Sequence, residues 1–348
     1  MAPFYYNPII FDFKTNPMEK IIAVVVTHNS HISLKKCIES LRSQTQKPDA
    51  ILVVNNGSAD FTSVWLDKQI DLLHINQENS GTAGGFHTGI EDAYNKGYNW
   101  IWCMNDKGVL KEDALEKMMK EKNPQPALVN SSVINIHDRK TLVFKTNQYQ
   151  QINEIKEDVI YGISHPFNGT LIHRSIVEKV GLPKKELFIC GDGTEYFYRI
   201  VKQFKIPAKT ATQSILYMVP VNYSQKEDWD YKTSWKMYYH LRNKLKVFQT
   251  KYQSKLLGAA AYFIFICSEM TLTMIHQKTD KFRKLNFILW PVADAIKGNY
   301  KMKPEVVMKK MNEQLFSSRI KLLLNPVKNA LYNLLIPSVR EETGTATA

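Results

Sequence analysis

Two short stretches carry the residues best suited to group-transfer chemistry. Residues 188–195 read Phe-Ile-Cys-Gly-Asp-Gly-Thr-Glu and place two acids, Asp192 and Glu195, three positions apart. Gly191 and Gly193 flank Asp192, and glycine lets a backbone adopt shapes that other residues refuse, which suits a carboxylate held for proton transfer. Glu195 also opens the helical pattern Glu-Tyr-Phe-Tyr-Arg-Ile-Val-Lys, where an acid in the first turn favours the helix dipole for structural reasons alone. The second stretch, residues 100–107, ends an apolar run in Asn105-Asp106-Lys107. Lys107 reads either as a donor to phosphate or as a solvated surface charge.

Other polar groups lie in loops. Thr27-His28-Asn29 follows one apolar run, and Asn55-Asn56-Gly57-Ser58-Ala59-Asp60 follows the next. Side-chain amides and hydroxyls in a tight Asn-Gly turn offer fixed partners for a nucleobase edge or a ribose, although such a turn needs Asn and Gly for conformation alone. Residues 79–89, rich in glycine, open a helix whose first N–H groups can approach phosphate. They lack the GxGxxG dinucleotide fingerprint. Arg242-Asn243 can reach a diphosphate or a lipid-linked acceptor, or can cap an interface between domains.

The elements that must position these loops are legible in the patterning. Ile21 to Val26 is a β-branched run fit for a strand buried on both faces, and residues 33–42 follow at helical spacing. Strands over 50–54, 72–75 and 100–104 and helices over 83–95 and 112–122 continue the alternation. The pattern predicts an α/β domain with a mostly parallel sheet and right-handed crossovers, whose ligands bind beyond the carboxyl ends of the strands.

In this order, VTHN, VVNNGSAD, ENSGTAGGFHTGI, WIWCMND, PFNGTLIHR, FICGDGTEY and YYHLRN resemble the inverting glycosyltransferases of the GT-A fold, family 2 type. The likeness is to the branch with bacterial rhamnosyl- and galactofuranosyltransferases and covers roughly residues 20–250. The resemblance implies that Thr27, Asn29, Asn55, Asn56, Asp106 and Lys107 bind the nucleotide-sugar and that Gly84 and Gly85 lie near its diphosphate. It implies that Asn168 and Gly169, with Arg242, line the acceptor or sugar pocket. Asp192, Glu195 and Lys107 are the expected catalytic groups.

Three departures from the family pattern fall in one site. The family's Asp-Asp-Asp, which holds Mn²⁺ or Mg²⁺, is here Asn105-Asp106-Lys107; hard divalent cations want anionic oxygen ligands. The second acid of the paired motif, the family's base, is Gly193. A downstream histidine of the metal shell is replaced near Tyr217 and Met218, and a thioether suits neither cation. No metal site is expected. The implied activity is transfer of a hexose, of galactofuranose or rhamnose type, from a nucleotide-diphosphate sugar to a lipid-linked or polysaccharide acceptor, with inversion. The competing reading is a catalytically silent relative that binds glycan or a partner transferase.

The net charge of +13 is unevenly placed. Residues 1–230 carry 26 basic against 26 acidic side chains, and residues 231–348 carry 20 against 7. The expected organisation is an extension (1–19), a GT-A domain (20–230), a basic helical domain (231–340) and a tail (341–348). Residues 256–275 are long and apolar enough to span a bilayer, but Glu269 inside them favours a buried or interfacial helix. Flanking lysines and aromatics suit an anionic membrane surface better than nucleic acid, for which no base-stacking motif is present. Met1 to Lys20 lacks a leader pattern, so the expected location is cytoplasmic, peripheral at the inner face of the membrane. Four dispersed cysteines read as reduced packing residues.

Overall fold

The structure is a computed structural model that describes residues 19–123, 126–146, 149–220, 227–231 and 233–312. The expected extension, apart from Glu19, and the expected tail lie outside these residues, as does 313–340 of the basic domain.

The expected alternation is present as β1 (Ile21–Thr27), α1 (His31–Arg42), β2 (Ala50–Asn56), α2 (Thr62–Leu66), β3 (Leu73–Gln77), α3 (Gly81–Asn95) and β4 (Trp100–Asn105). It continues through β5 (Val109–Leu110), α4 (Ala114–Lys120), β6 (Leu128–Asn135), β7 (Thr141–Thr146), β8 (Tyr149–Gln151), β9 (Val159–Tyr161), β10 (Asn168–His173), α5 (Arg174–Val180), α6 (Asp192–Tyr198) and β11 (Ala208–Met218). The main sheet runs β3-β2-β1-β4-β10-β6-β11-β5. Strands β3, β2, β1 and β4 are parallel, β10 is antiparallel to both β4 and β6, and β11 is parallel to β6.

Both faces of β1 are buried, which is why its run shows no polar alternation. Ala23 and Val25 join Trp100, Trp102 and the α1 side chains Leu34 and Cys37 in one core layer. Ile22, Val24 and Val26 join Ile101, Cys103, Phe86 and Ile90 in the other. The helix expected from residue 83 begins at Gly81, whose φ of +70° a side chain would resist.

The C-terminal helices are α7 (Lys236–Tyr252), α8 (Lys255–His276), α9 (Lys281–Lys297) and α10 (Pro304–Asn312). They close over their own aromatic core, with Tyr238, Tyr239, Phe287 and Trp290 among its members. Phe188 stacks on Tyr239 at 5.0 Å, so the loop before α6 is lodged against this helical layer. Cys37 and Cys103 pack as expected, whereas Cys267 is exposed on α8.

Candidate active site

The carboxyl ends of the parallel strands deliver the loops to one edge of the sheet. At the end of β1, Thr27 is buried and its hydroxyl donates to Asp106 Oδ2 at 2.7 Å. The His28 amide approaches the same oxygen at 3.4 Å. Asp106 thus faces β1, and burial pushes its carboxyl above the usual range.

The neighbours of Asp106 point elsewhere. Asn105 Nδ2 donates to Asn168 Oδ1 at 3.0 Å, joining the end of β4 to the start of β10. Asn168 Nδ2 in turn donates to the carbonyls of His165 and Pro166. Gly169 beside it has a φ of +71°, and a Cβ there would lie 3.0 Å from Ser131 Oγ, so glycine is required for this approach. Lys107 is exposed, and its ammonium has no hydrogen bond or ion pair to another described residue.

Asn55 and Asn56 are occupied inside the protein. Asn55 Nδ2 donates to Asn76 Oδ1 at 2.8 Å, and Asn56 Nδ2 donates to the Gly81 carbonyl at 2.9 Å. Asn56 Oδ1 accepts from Gln77 Nε2 and from the Ser80 amide and hydroxyl. Both residues are buried, and these side-chain groups hold the loop together. The solvent-facing groups beside them are His28 and Asn29. His28 Nδ1 lies 2.8 Å from the Asn56 carbonyl, and Asn29, at a φ of +50°, accepts from the Ala59 amide at 2.7 Å.

Gly84 and Gly85 are packed closely. A Cβ on Gly85 would lie 2.4 Å from Val26 Cγ1, and one on Gly84 would lie 2.2 Å from Ser80 Oγ. Both are buried in α3 and admit its close approach to β1 and to the turn before it. The side chain at the start of α3 that reaches the candidate base is Thr82, whose hydroxyl donates to Asp192 Oδ2 at 3.2 Å.

Asp192 is the first residue of α6 and is buried, so its carboxyl is pushed up to about 6, with desolvation the main cause. The loop leading to it holds unusual conformations at Phe188, Cys190 and Gly191, with φ of +65°, +64° and +99°. Such strain persists only where surrounding contacts impose it. Here Asn243 Nδ2 contacts the carbonyls of Leu187, Ile189 and Cys190 at 2.8 to 2.9 Å, and Arg242 donates to the Leu187 carbonyl at 3.1 Å. On the far side, the Ala83 amide donates to the Phe188 carbonyl.

Arg242 is therefore a buried clamp on the loop, with its guanidinium over the rings of Tyr239 and Tyr300. Its side chain is fully enclosed between the helical layer and the loop. Met218, at the end of β11, is buried in the sheet core. Gly193 packs with its Cα side toward the Pro166 carbonyl, where a Cβ would approach to 3.0 Å.

Glu195 is fully buried in ion pairs with Lys184 at 2.5 Å and Arg199 at 3.3 Å, and it accepts from the Thr250 hydroxyl at 3.1 Å. Its geometry is that of a structural tie between α6, the preceding loop and α7. Glu195→Ala leaves two cations without their counter-charge and is expected to cost about 3 kcal/mol, measured by denaturant unfolding.

The donors do not fit a hard divalent cation. Asp106 spends its carboxylate on Thr27 and His28, the Asn105 amide is tied to Asn168, Lys107 is cationic and Met218 is in the core.

A strand-helix sheet with an acid at the start of α6 and a polar loop after β4 now stands beside the comparisons with known proteins. The description "Glycosyl transferase family 2" matches residues 22–181. Residues 22–181 form a family 2 glycosyltransferase domain. A galactofuranosyltransferase of Mycobacterium tuberculosis, GlfT1, is 29% identical over 198 residues, 53% of this chain and 65% of its own length. The corresponding protein of Mycolicibacterium smegmatis is 28% identical over 53% of this chain and 66% of its own. The chain thus spans just under two thirds of the length of these curated relatives. Residues 1–349 of S. aureus TarS match with a TM-score of 0.53 at 13% identity, covering 90% of this chain and 91% of that one. This likeness shows the fold alone, and it extends over the helical layer as well as the sheet.

The structure joins Thr27 to Asp106 and Asn105 to Asn168 at the end of the sheet. Asp192 is bonded to Thr82, and its neighbour Gly193 faces the Pro166 carbonyl that also accepts from Asn168. Sequence reasoning did not single out Thr82. Asn243 was visible as part of an Arg-Asn pair, but its partners lie in a loop more than fifty positions away.

Proposed function

We propose that the chain transfers a hexose, of galactofuranose or rhamnose type, from a nucleotide-diphosphate sugar to a lipid-linked or polysaccharide acceptor, with inversion and without a divalent cation. The observation that carries this reading is Asp192: a buried carboxyl with a raised pKa, aimed from the first turn of α6 and held by Thr82 and a strained, clamped loop. Perturbed acids in such settings mark sites of proton transfer. The similarity to galactofuranosyltransferases supports the sugar class. Asp192 takes the acceptor hydroxyl proton, and Lys107 meets the charge that gathers on the departing diphosphate. The reading puts the reaction at the inner face of an anionic membrane, and what supports this is the basic excess of the C-terminal third, 20 basic against 7 acidic side chains.

The second reading, a silent relative that binds glycan or a partner transferase, is favoured by one observation: Gly193, in place of the family's base, abuts the Pro166 carbonyl. Calorimetric titration with UDP-galactofuranose and dTDP-rhamnose, with Mn²⁺ and with EDTA, followed by a radiolabel transfer assay on galactan and rhamnan lipid fractions, separates the two. Cation-independent binding of one donor with transfer is expected. Donor binding without transfer to any fraction supports the silent reading, and no binding of either donor sinks the proposed donor class.

A further inference from the structure

The outer face of α8 has no cover among the described residues. Leu256, Phe263, Ile264 and Ile275 are 80%, 69%, 68% and 66% exposed, and their spacing puts them on one helical stripe with Ala260, Cys267 and Met274. No ionisable side chain interrupts that stripe. Glu269 lies on the opposite face, buried against α7 near Lys244. The inner face is pinned: a Cβ at Gly258 would lie 2.5 Å from Gln249 Cα, and the Tyr262 hydroxyl donates to the Leu241 carbonyl. Soluble monomers rarely leave an apolar surface of this continuity open.

Two further observations choose its occupant. Lysines stand at both ends of the stripe, Lys251 and Lys255 at one and Lys278 and Lys281 at the other, and Phe282 beside them is 76% exposed. Although α8 is long and apolar enough to cross a bilayer, it is packed side by side with α7 and α9. Crossing would carry Lys236, Lys246 and Lys297 of those helices toward the hydrocarbon, where charges are costly. Lying flat costs none of this and sets the terminal lysines at the level of lipid phosphates.

We propose that α8 lies lengthwise in the boundary between headgroups and acyl chains of an anionic bilayer, with its Leu256–Phe263–Ile264–Ile275 stripe inserted and its terminal lysines on lipid phosphates. The proposal deepens the membrane placement given above and rests on it, but it is tested without donor or acceptor. Its failure therefore leaves the transferase reading untouched.

Cys267 sits mid-stripe and is exposed, while Cys37 and Cys103 are buried and burial pushes the Cys190 thiol up to about 12, so a polarity-sensitive maleimide dye labels Cys267 selectively. On vesicles of phosphatidylcholine with 30% phosphatidylglycerol, the dye emission is expected to shift to the blue and to be quenched more by lipids brominated near the headgroup than near the chain ends. Pure phosphatidylcholine and high salt should weaken binding steeply. Phe263→Asp with Ile264→Asp is expected to lower partitioning about 100-fold, and Phe263→Ser with Ile264→Ser to lower it less, both with an unchanged melting temperature because these side chains are exposed. Deepest quenching at the bilayer centre would mean a spanning helix and overturn the proposal. Unchanged partitioning of both double variants, or no blue shift, also overturns it and assigns the face to a second copy or to residues 313–348, which sedimentation velocity distinguishes.

Discussion

Asp192→Asn is expected to cut glycosyl transfer by about 100-fold or more while leaving donor affinity nearly unchanged, measured by initial rates and by calorimetry. An inverting transfer needs one group near the acceptor hydroxyl that is ionised at working pH, and the amide cannot take the proton. The pH profile gives the second signature. Because burial holds the carboxyl near 6, the wild-type rate should fall about tenfold for each pH unit below that value and level off above it. The residual activity of the variant should show no such limb. Full activity in Asp192→Asn would make the residue structural and move the base elsewhere.

Stability provides a check with the opposite sign. The unfolded chain releases the Asp192 proton near pH 4 and the folded chain near 6, so the folded state holds the proton more tightly and wild-type stability declines as pH rises between those values. The variant lacks that decline. Above pH 6 it is expected to be more stable than wild type, by at most about 3 kcal/mol, and the difference should vanish below pH 4. A variant that loses both activity and stability at pH 7.5 would instead report local collapse of the loop.

Much of the frame was legible because it rests on local pattern. β1 is apolar on both faces, and that run of β-branched residues identifies a central parallel strand before any contact is known. The strand order beyond β4 was not readable, since β10, β6 and β11 pair by a register that only the folded sheet reveals. Within the site, loop positions were found and orientations were not. Asn56 has the chemistry to hold a ribose, yet it lies under the turn and spends its amide on Gly81 and Ser80. Gly85 reads as a phosphate-approach glycine, and the contact that only the folded sheet reveals is its close packing on Val26. Gly193 is the reverse case: its substitution read only as a lost acid, whereas a Cβ there would lie 3.0 Å from the Pro166 carbonyl. Gly193→Asp would therefore need that carbonyl to yield slightly before it could restore a base.

Lys107 carries the sharpest test of how the departing diphosphate is met. Breaking a glycosidic bond to a nucleoside diphosphate gathers negative charge on the leaving group, and catalysis needs a fixed positive group where that charge develops. The loop after β4 offers one free cation among the described residues close to the candidate site, because Asn105 is bound to Asn168 and Asp106 to Thr27 and His28. Donor binding and transfer are therefore expected to survive excess EDTA. Lys107→Ala should weaken donor binding by about 10- to 100-fold, the size of a charge-assisted hydrogen bond to phosphate. Asn105→Asp with Lys107→Asp places two more carboxylates in this loop and should create a Mn²⁺ requirement absent before. If EDTA abolishes donor binding by the unmodified protein, Lys107 does not stand in for a cation, and Asp106, whose Oδ2 accepts from Thr27 and His28, holds a metal with ligands from elsewhere in the chain.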